Sequence, residues 1–107
     1  MKQHFLFICS SGGRAKKASE LFEDDDNIEA RCVSLFPLVG SNITNESVKW
    51  ASKIFVMNEK EELHKTQLLS KIPDSEEKEI IDLDMPQISQ TDPKFEDILR
   101  EKIKDYL

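Results

Sequence analysis

The feature that most constrains this fold is a short apolar run that ends abruptly in small residues. The run is Phe5-Leu6-Phe7-Ile8, and it leads through Cys9 into Ser10-Ser11-Gly12-Gly13. An unbroken apolar run of this length is typical of a strand that is buried on both faces, as in a parallel sheet. The small residues predict a tight loop after it. The strand therefore delivers a cysteine to the start of a loop with little side-chain bulk.

The rest of the sequence alternates between helical and strand-like segments. Apolar residues at helical spacing predict a helix over 15–22, because Ala18, Leu21 and Phe22 share one face. Further helices are expected after an N-cap at Thr44, from Asn58 through Leu63 to about Leu69, and at 95–106 with one apolar face. Strands are predicted at 29–35, which includes Ala30, Cys32 and Val33, and at 53–57 and 79–83.

This alternation predicts an α/β fold, a single three-layer domain over residues 1–107 with a four-stranded parallel sheet and helices on both faces. A chain of 107 residues supports one hydrophobic core. In open parallel sheets, ligands bind beyond the carboxyl ends of the strands. Cys9 and the loop over 84–92 are both expected at that end of the sheet.

Charge and composition exclude several classes of function. The net charge of −6 argues against non-specific nucleic-acid binding. No apolar run approaches the roughly 20 residues that span a bilayer, so we expect a cytoplasmic protein without a membrane partner. Only two cysteines and two histidines occur, and they form no metal-binding motif. We therefore expect neither metal nor cofactor, and we interpret His4 and His64 as surface or structural residues.

The loop that begins at Cys9 has the composition of an anion site. Small residues between a strand and a helix let backbone N–H groups converge on an anion, and the helix N-terminus adds positive partial charge. The same field favours a thiolate, which can attack phosphorus. That chemistry also requires a guanidinium to hold phosphate oxygens and an acid to protonate the leaving oxygen. Arg14 is the arginine beside the loop, and Asp82, Asp84 and Asp92 are candidate acids.

A structural interpretation of the aromatic and sulfur-containing residues stays open beside this one. A cysteine after an apolar run is often only a small buried hydrophobe, and this alternative applies to Cys9. Cys32 lies inside a predicted strand, so we interpret it as a packing residue. Trp50 and Phe55 are interpreted as core rather than as a platform for a ligand.

Three stretches together resemble the low-molecular-weight protein tyrosine phosphatases, most closely the short bacterial branch. The stretch 5–9 followed by Ala18-Ser19-Glu20-Leu21-Phe22 resembles the opening of that family, in which a strand precedes a C-x5-R loop. The segments 43–57 and 83–93 resemble its second helix, third strand and acid-bearing loop. The resemblance implies a phosphotyrosine protein phosphatase I-like fold. It implies Cys9, Arg14 and Asp84 as catalytic residues, with Asp92 as an alternative acid. The phosphate-binding residues would be Ser10, Ser11, Gly12, Gly13, Arg14 and Ala15.

The sequence departs from the family pattern at the residues that carry the chemistry. With no gap between Cys9 and Glu20, the essential arginine position is occupied by Ala15, and Arg14 falls one residue early. The Ser-Pro pair of the family is Lys16-Lys17. The acid position after the proline of the late loop is Gln87, and the usual aromatic residue is absent there.

Several functions are compatible with these residues. The first is a weakly active or inactive phosphatase-like protein, a pseudophosphatase, that keeps an anion-binding loop at Cys9. The second is an active cysteine-dependent phosphomonoester or phosphotyrosine hydrolase. The third is a cysteine phosphotransfer protein that resembles the IIB subunits of sugar phosphotransferase systems. Arsenate reductase would need further cysteines. The expected partner is a phosphorylated protein or a small anionic ligand.

Overall fold

The computed structural model describes residues 3–9, 13–35, 43–58, 64–86, 88 and 91–106. In chain order, the elements are β1 (Gln3–Cys9), α1 (Gly13–Glu20), β2 (Ile28–Ser34), α2 (Asn45–Trp50), β3 (Lys53–Val56), α3 (His64–Lys71), a 3-10 helix (Pro73–Glu77), β4 (Glu79–Asp82), α4 (Pro93–Ile103) and a second 3-10 helix (Lys104–Tyr106). The principal extents are 34 × 34 × 25 Å.

The four strands form one parallel sheet in the order β2-β1-β3-β4. The predicted four-stranded parallel sheet is therefore confirmed, and the strand that carries Cys9 lies inside the sheet, flanked on both sides. Because β1 is buried on both faces, its residues from Phe5 to Ile8 are all fully buried. This burial explains why the apolar run is continuous rather than alternating.

Each face of the sheet packs against helices, as the alternation predicts. Phe5, Phe7 and Cys9 lie on one face, where α1 and α4 cover them with a cluster of apolar side chains. Leu6 and Ile8 lie on the other face, which packs against α2 and α3. Successive residues of β1 thus supply the two cores in turn. We call the first side the α1 face.

The cap of α2 follows the sequence prediction. Thr44 is the N-cap of this helix, and its Oγ1 accepts a hydrogen bond from Ser47 N at 3.1 Å. Ser47 Oγ in turn accepts from Thr44 N at 3.1 Å, which completes a capping box. Both N–H groups would otherwise lack an acceptor at the end of the helix.

Some boundaries differ from those predicted. Helix α1 ends at Glu20 because Leu21 N and Phe22 N donate to the carbonyls three residues earlier, both at 3.2 Å, and so wind the chain into a turn. Phe22 still packs into the core. The residues after Pro73 form a 3-10 helix rather than a simple break. Residues 59–63, part of the predicted third helix, lie outside the described residues.

The two histidines have structural surroundings. His64 is fully buried, and its Nδ1 accepts a hydrogen bond from Asn58 N at 3.1 Å. His4 stacks on Trp50 with ring centroids 4.4 Å apart. Trp50 is only half-buried, whereas Phe55 is fully buried as predicted. Within the described ranges, no helix has the length and apolar character that crossing a membrane requires.

Candidate functional site at the carboxyl end of the sheet

Cys9 is the last residue of β1, at the carboxyl end of the sheet. Its side chain lies on the α1 face and only 1% of the residue is exposed. Its carbonyl accepts a hydrogen bond from Leu35 N at 3.0 Å, which fixes the point where the chain leaves the strand. Cys9 forms no disulfide. The next three predicted phosphate-binding residues, Ser10, Ser11 and Gly12, lie outside the described residues.

The first turn of α1 supplies the other three predicted positions. Gly13, Arg14 and Ala15 open this helix four to six residues after Cys9. N–H groups in the first turn of a helix have no acceptor within the helix, and they carry the positive end of its dipole. Arg14 is half-buried, whereas Ala15 is fully buried in the core on the α1 face. The first turn therefore places backbone N–H groups and one arginine directly after the loop in the chain.

The other two arginines of the chain are engaged elsewhere. The Arg31 guanidinium carbon lies 4.1 Å from the centroid of a Trp50 ring, on the face of the sheet opposite Cys9. Arg100 Nη2 lies 3.0 Å from Glu96 Oε1 on the exposed side of α4. Arg14 is therefore the arginine that the fold places next to the cysteine loop.

Asp84 follows β4 at the same end of the sheet as Cys9. Its φ of 50° lies in the left-handed region, and its N–H donates to Asp82 Oδ1 at 2.8 Å. Met85 N then donates to Met57 O at 2.8 Å. The backbone hydrogen bonding between β4 and β3 therefore continues beyond Asp84. Two strand spacings separate β1 from β4, which puts the backbones of Cys9 and Asp84 about 10 Å apart. The continuation of β3 at Met57 lies between them, so a ligand that touched both residues would lie beyond the carboxyl ends of the strands.

Asp92, the alternative acid, has a structural role. It is the N-cap of α4, and its Oδ1 accepts a hydrogen bond from Lys94 N at 2.9 Å. A carboxylate in this position satisfies a helix N–H group and complements the helix dipole. Gln87, at the family's acid position, lies outside the described residues. Asp82, the third candidate acid, accepts a hydrogen bond from Asp84 N through its Oδ1 at 2.8 Å.

A residue that the sequence did not single out lies beside Cys9. The register of β1 and β2 pairs Cys9 with Ser34, and Ser34 is only 1% exposed. The only signal for Ser34 in the sequence was its position, between the apolar residues Val33 and Leu35 and near the end of a predicted strand. In the described part of the chain, no group of three or more His, Cys, Asp or Glu side chains is arranged to hold a metal ion.

Solved structures that match this architecture include phosphatases and an arsenate reductase. The low-molecular-weight protein tyrosine phosphatase from T. tengcongensis superimposes with a TM-score of 0.75 and 18% identity, over 99% of this chain and 100% of that one. The fold is that of the low-molecular-weight protein tyrosine phosphatases. The YwlE arginine phosphatase from Geobacillus stearothermophilus matches with a TM-score of 0.68 and 17% identity, over 96% and 84% of the two chains.

The same phosphatase fold also occurs in a redox enzyme. A thioredoxin-dependent arsenate reductase from Corynebacterium glutamicum matches with a TM-score of 0.66 and 15% identity, over 98% of this chain and 60% of that one. No protein-family model matches the sequence, and no curated protein matches it. The resemblance deduced from three separate stretches thus agrees with the structural likeness at the level of the fold.

Within this phosphatase fold, the predicted site residues fall into two groups. Cys9, Arg14 and Ala15 flank the loop between β1 and α1, and Asp84 lies at the same end of the sheet. Asp92 is held at the start of α4 by its capping role. Of the described candidates, Cys9, Arg14, Ala15 and Asp84 thus lie at the carboxyl end of the sheet, and Asp92 serves as a helix cap.

Proposed function

We propose that this protein binds phosphate or a phosphorylated ligand at the loop 9–15, and that it hydrolyses phosphate esters weakly or not at all. Three features support binding. The loop follows an interior strand of a phosphatase fold, it opens into the N-terminus of α1, and Arg14 stands in the first turn of that helix. Backbone N–H groups bind an anion regardless of the side chains around them, so binding survives substitutions that weaken catalysis.

The observation that carries the proposal of weak chemistry is the environment of Ala15. The resemblance places the essential arginine of the family at this position, but here a methyl group is packed in the core with 0% exposure. Only Arg14, one residue earlier and half-buried, can supply a guanidinium from α1. Losing an optimally aimed group that stabilises transition-state charge commonly lowers a rate by about a hundredfold or more. At the family's acid position this chain has Gln87, whose side chain cannot donate a proton as a carboxylic acid does, and this also favours a low rate.

Any residual hydrolysis would use the cysteine in a two-step reaction. The Cys9 thiolate attacks phosphorus, an S–P bond forms, and the P–O bond to the leaving group breaks as that oxygen takes a proton from an acid. Water then attacks phosphorus, which releases inorganic phosphate and restores the thiolate. In this scheme Arg14 holds the equatorial oxygens and Asp84 provides the proton. This active hydrolase is the alternative function.

The ligand is expected to be a phosphorylated protein or a small phosphorylated anion. The net charge of −6 opposes a polyanionic nucleic acid, whereas a single phosphate needs only the local positive field of the loop. The proposed chemistry needs a reduced cysteine, because the thiolate is the nucleophile. We infer a cytoplasmic location from this requirement, since thiols stay reduced there.

The direct test is turnover of 4-nitrophenyl phosphate by the full chain, compared with Cys9→Ser. This substrate has a good leaving group, so its hydrolysis depends little on the acid and reports on the cysteine and the arginine. We expect slow turnover that Cys9→Ser abolishes, or no turnover in either protein. Rapid turnover that depends on Cys9 would refute the proposal of weak chemistry and establish the active hydrolase. Equal turnover by wild type and Cys9→Ser would show that the activity does not arise at this site.

A further inference from the structure

Ser34 lies directly beside Cys9 on the neighbouring strand of the sheet. The two residues are direct partners in the parallel register of β2 and β1, each at the last position of its strand. Val33 and Leu35, the neighbours of Ser34, belong to the core on the opposite face of the sheet. Because side chains alternate along a strand, Ser34 faces the same side as Cys9, the α1 face.

Their separation suits a contact between the two side chains. Neighbouring strands lie about 4.8 Å apart, and paired residues of a parallel ladder project their side chains in the same direction. A hydroxyl and a sulfur on such a pair can meet with both residues in ordinary rotamers. Ser34 and Cys9 are each only 1% exposed, so water does not compete freely for the hydroxyl.

The other neighbour of Cys9 offers no comparable donor. Met57 continues the chain beyond β3, its N–H donates to Ile8 O at 3.2 Å, and its side chain is fully buried on the same face as Cys9. A thioether has no hydrogen to donate, whereas a serine hydroxyl donates one hydrogen bond. Across the sheet, Cys9 is therefore flanked by a serine on the β2 side and by a methionine on the β3 side.

A serine at this position calls for a reason, since the residues that line the rest of the α1 face are mostly apolar. A buried hydroxyl without a hydrogen bond is costly, and a hydrogen bond to a charged acceptor is stronger than one to a neutral acceptor. A thiolate on the adjacent strand is such an acceptor. Alanine would fill the same space without that cost if packing were the only requirement.

We propose that Ser34 is a positioning residue, whose hydroxyl donates a hydrogen bond to Cys9 Sγ, stabilises the thiolate and holds the sulfur in place at the end of β1. The proposal deepens the proposed function and rests on it, because it assumes that Cys9 acts as a thiolate. It assigns a role to β2, a strand in which the sequence identified no functional residue.

The test is alkylation of Cys9 by iodoacetamide in the full-length protein across pH 5 to 9, followed by peptide mass spectrometry, with Cys32 in the same chain as the internal reference. We expect Ser34→Ala to slow the reaction of Cys9 about tenfold at pH 6.5, the effect of losing one charge-assisted hydrogen bond. At pH 9 the two proteins should react alike, because hydroxide then supplies the thiolate in both. In Ser34→Ala, the curve of the Cys9 alkylation rate against pH should thus lie at higher pH than in the wild type.

Matched variants separate this role from a packing defect. Ser75→Ala removes another fully buried serine hydroxyl, one that donates to Ile72 O at 2.6 Å far from the site, and it should leave the curve for Cys9 unchanged. Ser34→Thr keeps the hydroxyl and should restore the wild-type curve. A structural defect would change the rate at all pH values. If Ser34→Ala fails to fold by circular dichroism, Ser34→Val provides the comparison, because valine has the shape of the threonine variant without its hydroxyl and is favoured in strands.

The outcomes distinguish this inference from the function on which it rests. A wild-type Cys9 that reacts no faster than Cys32 at pH 6.5 would overturn both the thiolate and the role of Ser34. A reactive Cys9 whose curve is identical in wild type and Ser34→Ala would overturn only the role of Ser34. An equal change in the alkylation rate of Cys9 at every pH would likewise show that Ser34 acts only through packing.

Discussion

Arg14 and Ala15 are consecutive residues in the first turn of α1, yet Ala15 is fully buried in the core while Arg14 is half-buried. Successive residues of an α-helix project about 100° apart around its axis. A guanidinium at position 14 therefore approaches the loop from a different direction than one at position 15. The proposed weak chemistry depends on this one-residue offset.

Replacing Ala15 by arginine tests how closely the core surrounds that position. We expect Ala15→Arg to lower the free energy of unfolding by about 1–3 kcal/mol, because the longer side chain must enter a packed core or bend away from it. Urea unfolding measures the change, and Lys16→Arg at the adjacent exposed position is the control. Unchanged stability together with faster turnover of 4-nitrophenyl phosphate would show instead that position 15 opens onto the loop.

The role of Arg14 as phosphate clamp is tested by Arg14→Ala. We expect phosphate affinity to fall about tenfold, since one or two charge-assisted hydrogen bonds are lost. Calorimetric titration with inorganic phosphate measures this, and Arg100→Ala removes the same charge from an exposed ion pair on α4 as the control. Equal losses in both variants would mean that Arg14 acts only through net charge.

The resemblance to the phosphatase family puts Gln87 at the family's acid position, so an acid introduced there should improve proton transfer to the leaving group. We expect Gln87→Asp to raise kcat/KM for phenyl phosphate, a substrate with a poor leaving group, by about a hundredfold. The gain should be much smaller for 4-nitrophenyl phosphate. Gln87→Asn is the control, and Cys9→Ser should abolish the gain. An equal gain for both substrates would contradict a role in protonating the leaving group.

Asp84 combines a strained backbone with a candidate acid, and two substitutions separate these properties. Asparagine tolerates a φ of 50°, so Asp84→Asn should keep the stability and lower the residual turnover of phenyl phosphate about tenfold or more. Asp84→Val should cost about 1–2 kcal/mol of stability, because a β-branched residue is disfavoured in the left-handed region. Unchanged turnover in Asp84→Asn would remove Asp84 from the chemistry.

Local patterns in the sequence were sufficient to predict a four-stranded parallel sheet with helices on both faces. The unbroken run through Phe5 and Ile8 predicted a strand buried on both faces, and Thr44 predicted a helix start that forms as a capping box. The end of α1 at Glu20 was not predicted, since helical apolar spacing continues to Phe22. Hydrogen bonds to the carbonyls three residues earlier end the helix there, and apolar spacing does not encode them.

Only part of the candidate site could be predicted from the sequence. Cys9 and Arg14 follow from the composition of the loop between a strand and a helix. The pairing of Ser34 with Cys9 requires the register between two strands 25 residues apart in the chain, and no local pattern specifies it. The use of Asp92 as a helix cap likewise depends on where α4 begins. Tertiary register and helix boundaries thus determine which polar residues lie near Cys9 and which cap a helix.

The measurement that tests the central claim most directly is a titration of the wild-type protein with inorganic phosphate, followed by amide NMR. The account predicts saturable shifts of the Gly13, Arg14 and Ala15 amide resonances, because these N–H groups open α1 beside the anion. Sodium chloride at matched ionic strength should not reproduce them. If these resonances stay unchanged at high millimolar phosphate, the loop at Cys9 does not bind phosphate and the account is wrong.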